Sequence, residues 1–116
     1  MSRYARRVDK SQPKIVEALR AAGCTVLSLA PLGKGAPDLA VGYRGFTYLM
    51  ECKSPEYCKA HPERIEEQRA WARKWGGGPV ILVSTADEAL YAMGLMKGKP
   101  KPTGVERFGP QHEGGA

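Results

Sequence analysis

The chain has little that would place it in a membrane or outside the cell. No apolar run approaches the length of a membrane span, and the charged N-terminus lacks the hydrophobic core of a signal peptide. A cytoplasmic protein with no membrane partner is therefore expected. Cysteine is scarce: Cys24, Cys52 and Cys58 make three, an odd number. That argues against a disulfide scaffold and fits a reducing compartment. No segment repeats, and no Walker-type Gly-rich run ending in Gly-Lys-Ser/Thr is present. Acidic charge is short, with 12 Asp and Glu against 18 Lys and Arg, leaving a formal net charge of +6 and a pI near 9.4. Such a surface attracts polyanions. Nucleic acid is the commonest of these, although net charge alone would also suit an acidic protein or a membrane surface. At 116 residues the chain is long enough for one domain with a single core.

What is present is a pair of apolar segments carrying charge at one end. Asp38-Leu39-Ala40-Val41 reads as a short strand and Phe46 to Cys52 as its antiparallel partner, folded back over Gly42-Tyr43-Arg44-Gly45. With Val41 facing Phe46, Asp38 lies opposite Leu49, and strand alternation puts Leu49, Glu51 and Lys53 on the same face as Asp38. Glu51 becomes a diagonal neighbour of Asp38, roughly 5–8 Å away. Two carboxylates at that separation repel unless a cation lies between them or one takes up a proton. A hard divalent ion held through oxygen is the natural resolution, with the Lys53 ammonium free to hold a phosphate oxygen or orient a water. Each charge has an ordinary explanation alone: Asp38 ends a turn, Glu51 is an exposed strand residue, Lys53 is an edge charge. Together they interrupt an otherwise apolar strand and converge, which marks them as a candidate catalytic cluster.

Gly35-Ala36-Pro37-Asp38 followed by Glu51-Cys52-Lys53 resembles the PD-(D/E)xK nuclease signature, and is most similar to its VRR-NUC and Holliday-junction-resolvase-like branch. The resemblance spans about residues 9–94, and departs from the family at Cys52, where an aliphatic residue is more usual. It implies an α/β fold with a restriction-endonuclease-like αβββαβ core, a mixed central sheet flanked by helices, to which a short C-terminal helix is added. It also implies a metal-dependent endonuclease acting on DNA, structure-selective for junctions, flaps or nicks, in phage or bacterial DNA processing. Asp38, Glu51 and the Cys52 backbone carbonyl would hold Mg²⁺ or Mn²⁺, and Lys53 would position the attacking water. A homodimer is expected if the substrate is a four-way junction, since its resolution needs two active sites.

The remaining sequence divides into a basic arm over residues 1–10, a nuclease-like domain over 11–95 and a basic Gly/Pro-rich tail over 96–116 whose composition predicts disorder. In the arm, Arg6, Arg7 and Lys10 are candidate phosphate contacts. A first helix starts near Ser11 or Gln12, with Pro13 in its first turn, and ends at Ala22 before Gly23. Gln12 falls among its apolar positions Ile15, Val16 and Leu19, whereas Glu17 points to solvent. For the further acid that the resemblance implies near this helix, Asp9 is accordingly preferred to Glu17. Val26 to Leu29 reads as a strand, and Pro31 to Ala36 as a loop in which Lys34, between Gly33 and Gly35, is a further phosphate candidate; Arg44 in the hairpin turn is another.

Ser54 to His61 reads as an irregular link and Pro62 to Trp75 as a helix stopped by Gly76-Gly77-Gly78. Ile65, Gln68, Trp71, Ala72 and Trp75 recur at helical spacing, with the tryptophans as core. Gln68, like Gln12, is an amide on an apolar stripe and needs a partner; the resemblance places Gln68 at the active site. Val80 to Val83 reads as a strand buried on both faces, and Thr85-Ala86-Asp87-Glu88 as a capping box opening a final helix through Met93. Cys58-x-x-His61 with Cys52 has the spacing of zinc ligands, but no fourth ligand is evident and Cys52 alternates away from the carboxylates. Two other functions fit the composition: a non-catalytic nucleic-acid-binding accessory module, which intact Asp38, Glu51 and Lys53 speak against, and a basic protein-interaction domain with no nucleic-acid role, which predicts no salt-sensitive DNA binding at all.

Overall fold

In a computed structural model, which describes residues 10–98 and the backbone of residues 106–108, five strands form one sheet in the order β1-β2-β3-β4-β5. They are β1 (Thr25–Ser28), β2 (Leu39–Tyr43), β3 (Phe46–Cys52), β4 (Val80–Val83) and β5 (Glu106–Phe108). All neighbours are antiparallel except β3 and β4, which run parallel. A parallel step needs a crossover, and α2 (Pro55–Ala60) and α3 (Pro62–Lys74) supply it. Helix α1 (Gln12–Ala21) precedes the sheet and α4 (Ala86–Ala92) follows β4. The chain is thus a mixed α/β protein, with a mixed sheet flanked by helices and a helix beyond β4. No helix among the described residues is long and apolar enough to cross a membrane. Asp9, Arg6 and Arg7 lie outside the described residues.

Alternation along the strands gives the sheet two buried faces. Val41, Met50, Cys52, Ile81 and Val83 point toward α1 and α4, packing with Ile15, Leu19, Ala89 and Met93. Each such aliphatic side chain contributes about 1.5–3 kcal/mol relative to remaining exposed. On the other face Val80 and Leu82 pack with Ile65 and Ala72 of α3, joined by Leu49, Tyr57, Cys58 and Trp71.

Four features differ from the sequence-based expectation. The β2–β3 turn has two residues rather than four: Tyr43 pairs with Phe46, and Arg44 (φ 49°) and Gly45 (φ 85°) both take the positive φ of a type I′ turn. The register therefore moves by two residues, which leaves every side chain on its expected face. Residues 55–60 are helical instead of irregular, because Ser54, in extended backbone, accepts the Tyr57 N–H with its hydroxyl (3.1 Å) and Pro55 is preset for a first helical turn. Trp75 stacks on Trp71 at 5.1 Å but is 42% exposed, so it lies at the rim and not in the core. Glu106–Phe108 in the tail forms β5 against β4, a strand that the Gly/Pro-rich composition does not announce.

Candidate functional site

The end of β3 carries the charges. Glu51 points to the α3 side, Cys52 turns its thiol into the opposite apolar core, and Lys53 comes back to the Glu51 side. Continuing the observed register one step past the Leu39–Met50 pair brings Asp38 directly across from Glu51, closer than the diagonal placement expected. The Asp38 carbonyl accepts the Leu29 N–H (2.8 Å), which ties the end of its loop to the sheet. Gly35, at φ 83°, takes a left-handed backbone that favours glycine where the loop passes α3.

Asp38 Oδ2 accepts the backbone N–H of Cys52 (2.8 Å) and the Lys53 ammonium (3.2 Å). The same ammonium lies 3.0 Å from Glu51 Oε2, which also accepts the Gln68 Nε2 donor from α3. All four side chains are buried, Glu51 completely. Burial pushes the Glu51 carboxyl up to about 8, Asp38 adds to the rise, and Lys53 opposes it. For Lys53, burial alone would lower the pKa; Glu51 and Asp38 outweigh it and hold the ammonium above its ordinary range. Both remedies for two adjacent carboxylates are thus in play: a cation between them, which is Lys53, and a raised proton affinity at Glu51.

Two buried oxygens, Glu51 Oε1 and Gln68 Oε1, have no hydrogen-bond partner. Leaving such acceptors dry is costly. Hard oxygen acceptors beside two carboxylates are the donor type that Mg²⁺ or Mn²⁺ prefers, so the residues present fit such an ion. Among the described residues no three His, Cys, Asp or Glu side chains gather at one point, so an ion here would combine two carboxylates with uncharged oxygens.

Other sequence candidates lie apart from this cluster. Gln12 is buried on α1, the helix that packs against the opposite face, and takes part in none of these bonds. Glu17 is exposed, as the helical periodicity predicts. Cys52 contributes its backbone N–H, and its thiol lies across the sheet from Cys58, so the zinc spacing does not assemble. Lys10, Lys34 and Arg44 are exposed; Lys34 adopts φ 54°, and the Arg44 guanidinium lies 5.3 Å from the Tyr43 ring centroid. Sequence reasoning missed Tyr57. Its ring centroid is 5.3 Å from Lys53 Nζ and 4.5 Å from the His61 ring, giving the ammonium an aromatic floor. The Ser54-Pro55 start signal, read as a helix cap, would have placed it there. Comparisons with protein-family models, curated proteins and solved structures find no match to the chain.

Proposed function

We propose that the protein is a metal-dependent endonuclease of PD-(D/E)xK type, hydrolysing DNA phosphodiester bonds on a restriction-endonuclease-like αβββαβ core. The observation that carries the reading is the convergence of Asp38, Glu51 and Lys53 in one buried cluster, with Gln68 on Glu51 and two oxygen acceptors open. The element order α1, β1, β2, β3, α3, β4 supports that core, α2, α4 and β5 being additions.

Asp38, Glu51 and the Cys52 carbonyl would hold Mg²⁺ or Mn²⁺; in such a set the ion supplies an acidified water and neutralises charge on the scissile phosphate. Gln68 occupies Glu51 Oε2 and so leaves Oε1 as the open acceptor. Lys53 would hold a phosphate oxygen with its ammonium, orient the attacking water and stabilise the charge that develops in the transition state. Exposed Lys10, Lys34 and Arg44 bind the flanking backbone, with Arg6 and Arg7 of the arm, so affinity falls with salt. The substrates are junction, flap or nicked DNA in a phage or bacterial cytoplasm, with a homodimer acting on junctions.

Cleavage of labelled linear, nicked, flap and four-way-junction DNA, with Mg²⁺, Mn²⁺ or EDTA, tests this. Wild type cuts only with metal, and Asp38→Ala loses cutting; activity that survives in Asp38→Ala removes the assignment. One observation favours a second reading: the Lys53 ammonium lies 3.2 Å from Asp38 and 3.0 Å from Glu51 and so can hold the pair together structurally, as a non-catalytic DNA-binding accessory module would require. Tight, salt-sensitive binding without cutting of any substrate would support it.

A further inference from the structure

A second buried network stands behind Lys53. Lys53 lies one residue past β3, and its backbone N–H still donates to the Val83 carbonyl (3.1 Å), prolonging the parallel ladder with β4. In a continuing ladder the Lys53 carbonyl would accept the N–H of residue 85. That residue turns away to cap α4, its hydroxyl accepting the Glu88 N–H (3.0 Å). The Ser84 hydroxyl supplies the donor instead, 2.7 Å from the Lys53 carbonyl oxygen.

Ser84 is itself fixed. In a capping box the Glu88 carboxylate would reach back to the N–H of Thr85. The Glu88 carboxylate accepts the Ser84 N–H, one residue further back, at 2.6 Å, and it is wholly buried. What the carboxylate fixes is the residue whose hydroxyl holds Lys53.

We infer that Ser84 and Glu88 are positioning residues for Lys53, a relay from α4 that pins its backbone so that the ammonium reaches both Asp38 and Glu51. Its role in catalysis rests on the nuclease reading; the positioning itself does not. Neither residue touches the carboxylates through a bond described above, and both act through Lys53.

The test is the rate at which Lys53 is acetylated by a small amine-reactive ester, followed peptide by peptide by mass spectrometry in the full chain. Ser84→Ala should raise that rate about 2- to 10-fold, the worth of one hydrogen bond, and Ser84→Thr, which keeps the hydroxyl, should return it to the wild-type rate. A wild-type rate in Ser84→Ala, or a Ser84→Thr rate as high as that of Ser84→Ala, overturns the inference. Should Ser84→Ala not fold, Glu88→Asp draws the carboxylate back from the Ser84 N–H; acetylation should again accelerate, and an unchanged rate overturns the relay. In cleavage assays Ser84→Ala should lower kcat with KM held, and Ser84→Thr should restore it. If wild type cuts no DNA, the nuclease reading fails while the acetylation rates still decide the positioning role.

Discussion

Toward α1 and α4 the sheet buries Met50, Cys52, Ile81 and Val83 against Ile15, Leu19 and Ala89; toward α3 it buries Asp38, Glu51 and Lys53 beside Leu82 and Ile65. The same strands supply both sides, and alternation alone decides which residues go where. On the first side the buried aliphatic side chains gain by leaving water. On the second, charges are taken out of water, and attraction between buried charges often fails to recover the desolvation cost. A face that could have been filled with aliphatic side chains instead carries two carboxylates, an ammonium and an amide with open acceptors. The first face accounts for stability, and the second carries the cluster on which the proposed chemistry rests.

The comparison is broken most forcefully by removing one member from each side. Lys53→Ala leaves two carboxylates facing each other without their cation, and should cost about 3–5 kcal/mol in urea unfolding with EDTA, part of it regained on adding Mn²⁺. Leu19→Ala on the apolar side should cost about 2–5 kcal/mol, with no dependence on metal. Equal metal responses in the two variants would erase the distinction between the faces.

A pH series sharpens it. The Glu51 carboxyl titrates near 8 in the folded chain against 4.5 when free, so folding takes up a proton between those values. Its stabilising contribution is complete below about 4.5 and is lost as the pH rises through about 8, an effect on the order of a few kcal/mol. Melting temperatures in EDTA should fall across that window, and Glu51→Gln should flatten the fall; the same slope in both proteins would remove Glu51 as its source. The smallest effect belongs to the surface. Arg44→Ala should leave stability unchanged and reduce the dependence of DNA affinity on salt by about one unit of log–log slope.

Much of this division was legible in the sequence because period-two alternation is robust. The hairpin register differs by two residues from the expected one, yet Asp38, Glu51 and Lys53 fall on one face in both, since a shift of two preserves parity. The difference comes from Arg44-Gly45, which forms a two-residue type I′ turn without the usual Asn-Gly signal. Helix α2 was hidden by its length: six residues show no periodicity, and only the Ser54-Pro55 cap betrays it. Strand β5 depends on a backbone partner, β4, that a Gly- and Pro-rich stretch does not reveal. The role of Lys53 as the cation between the carboxylates was also unforeseen, because alternation fixes its face and not the reach of its side chain. For Gln68, helical spacing gave the inward direction, and the structure supplied the partner, Glu51.

Cation binding is the step on which the account turns. Isothermal calorimetry of Mn²⁺ with wild type and with Asp38→Asn measures it without reference to any DNA substrate. The account predicts saturable binding to wild type, absent or greatly weakened in Asp38→Asn. No heat from wild type, or equal binding by both proteins, would contradict it and leave Lys53 as the cation of the buried cluster.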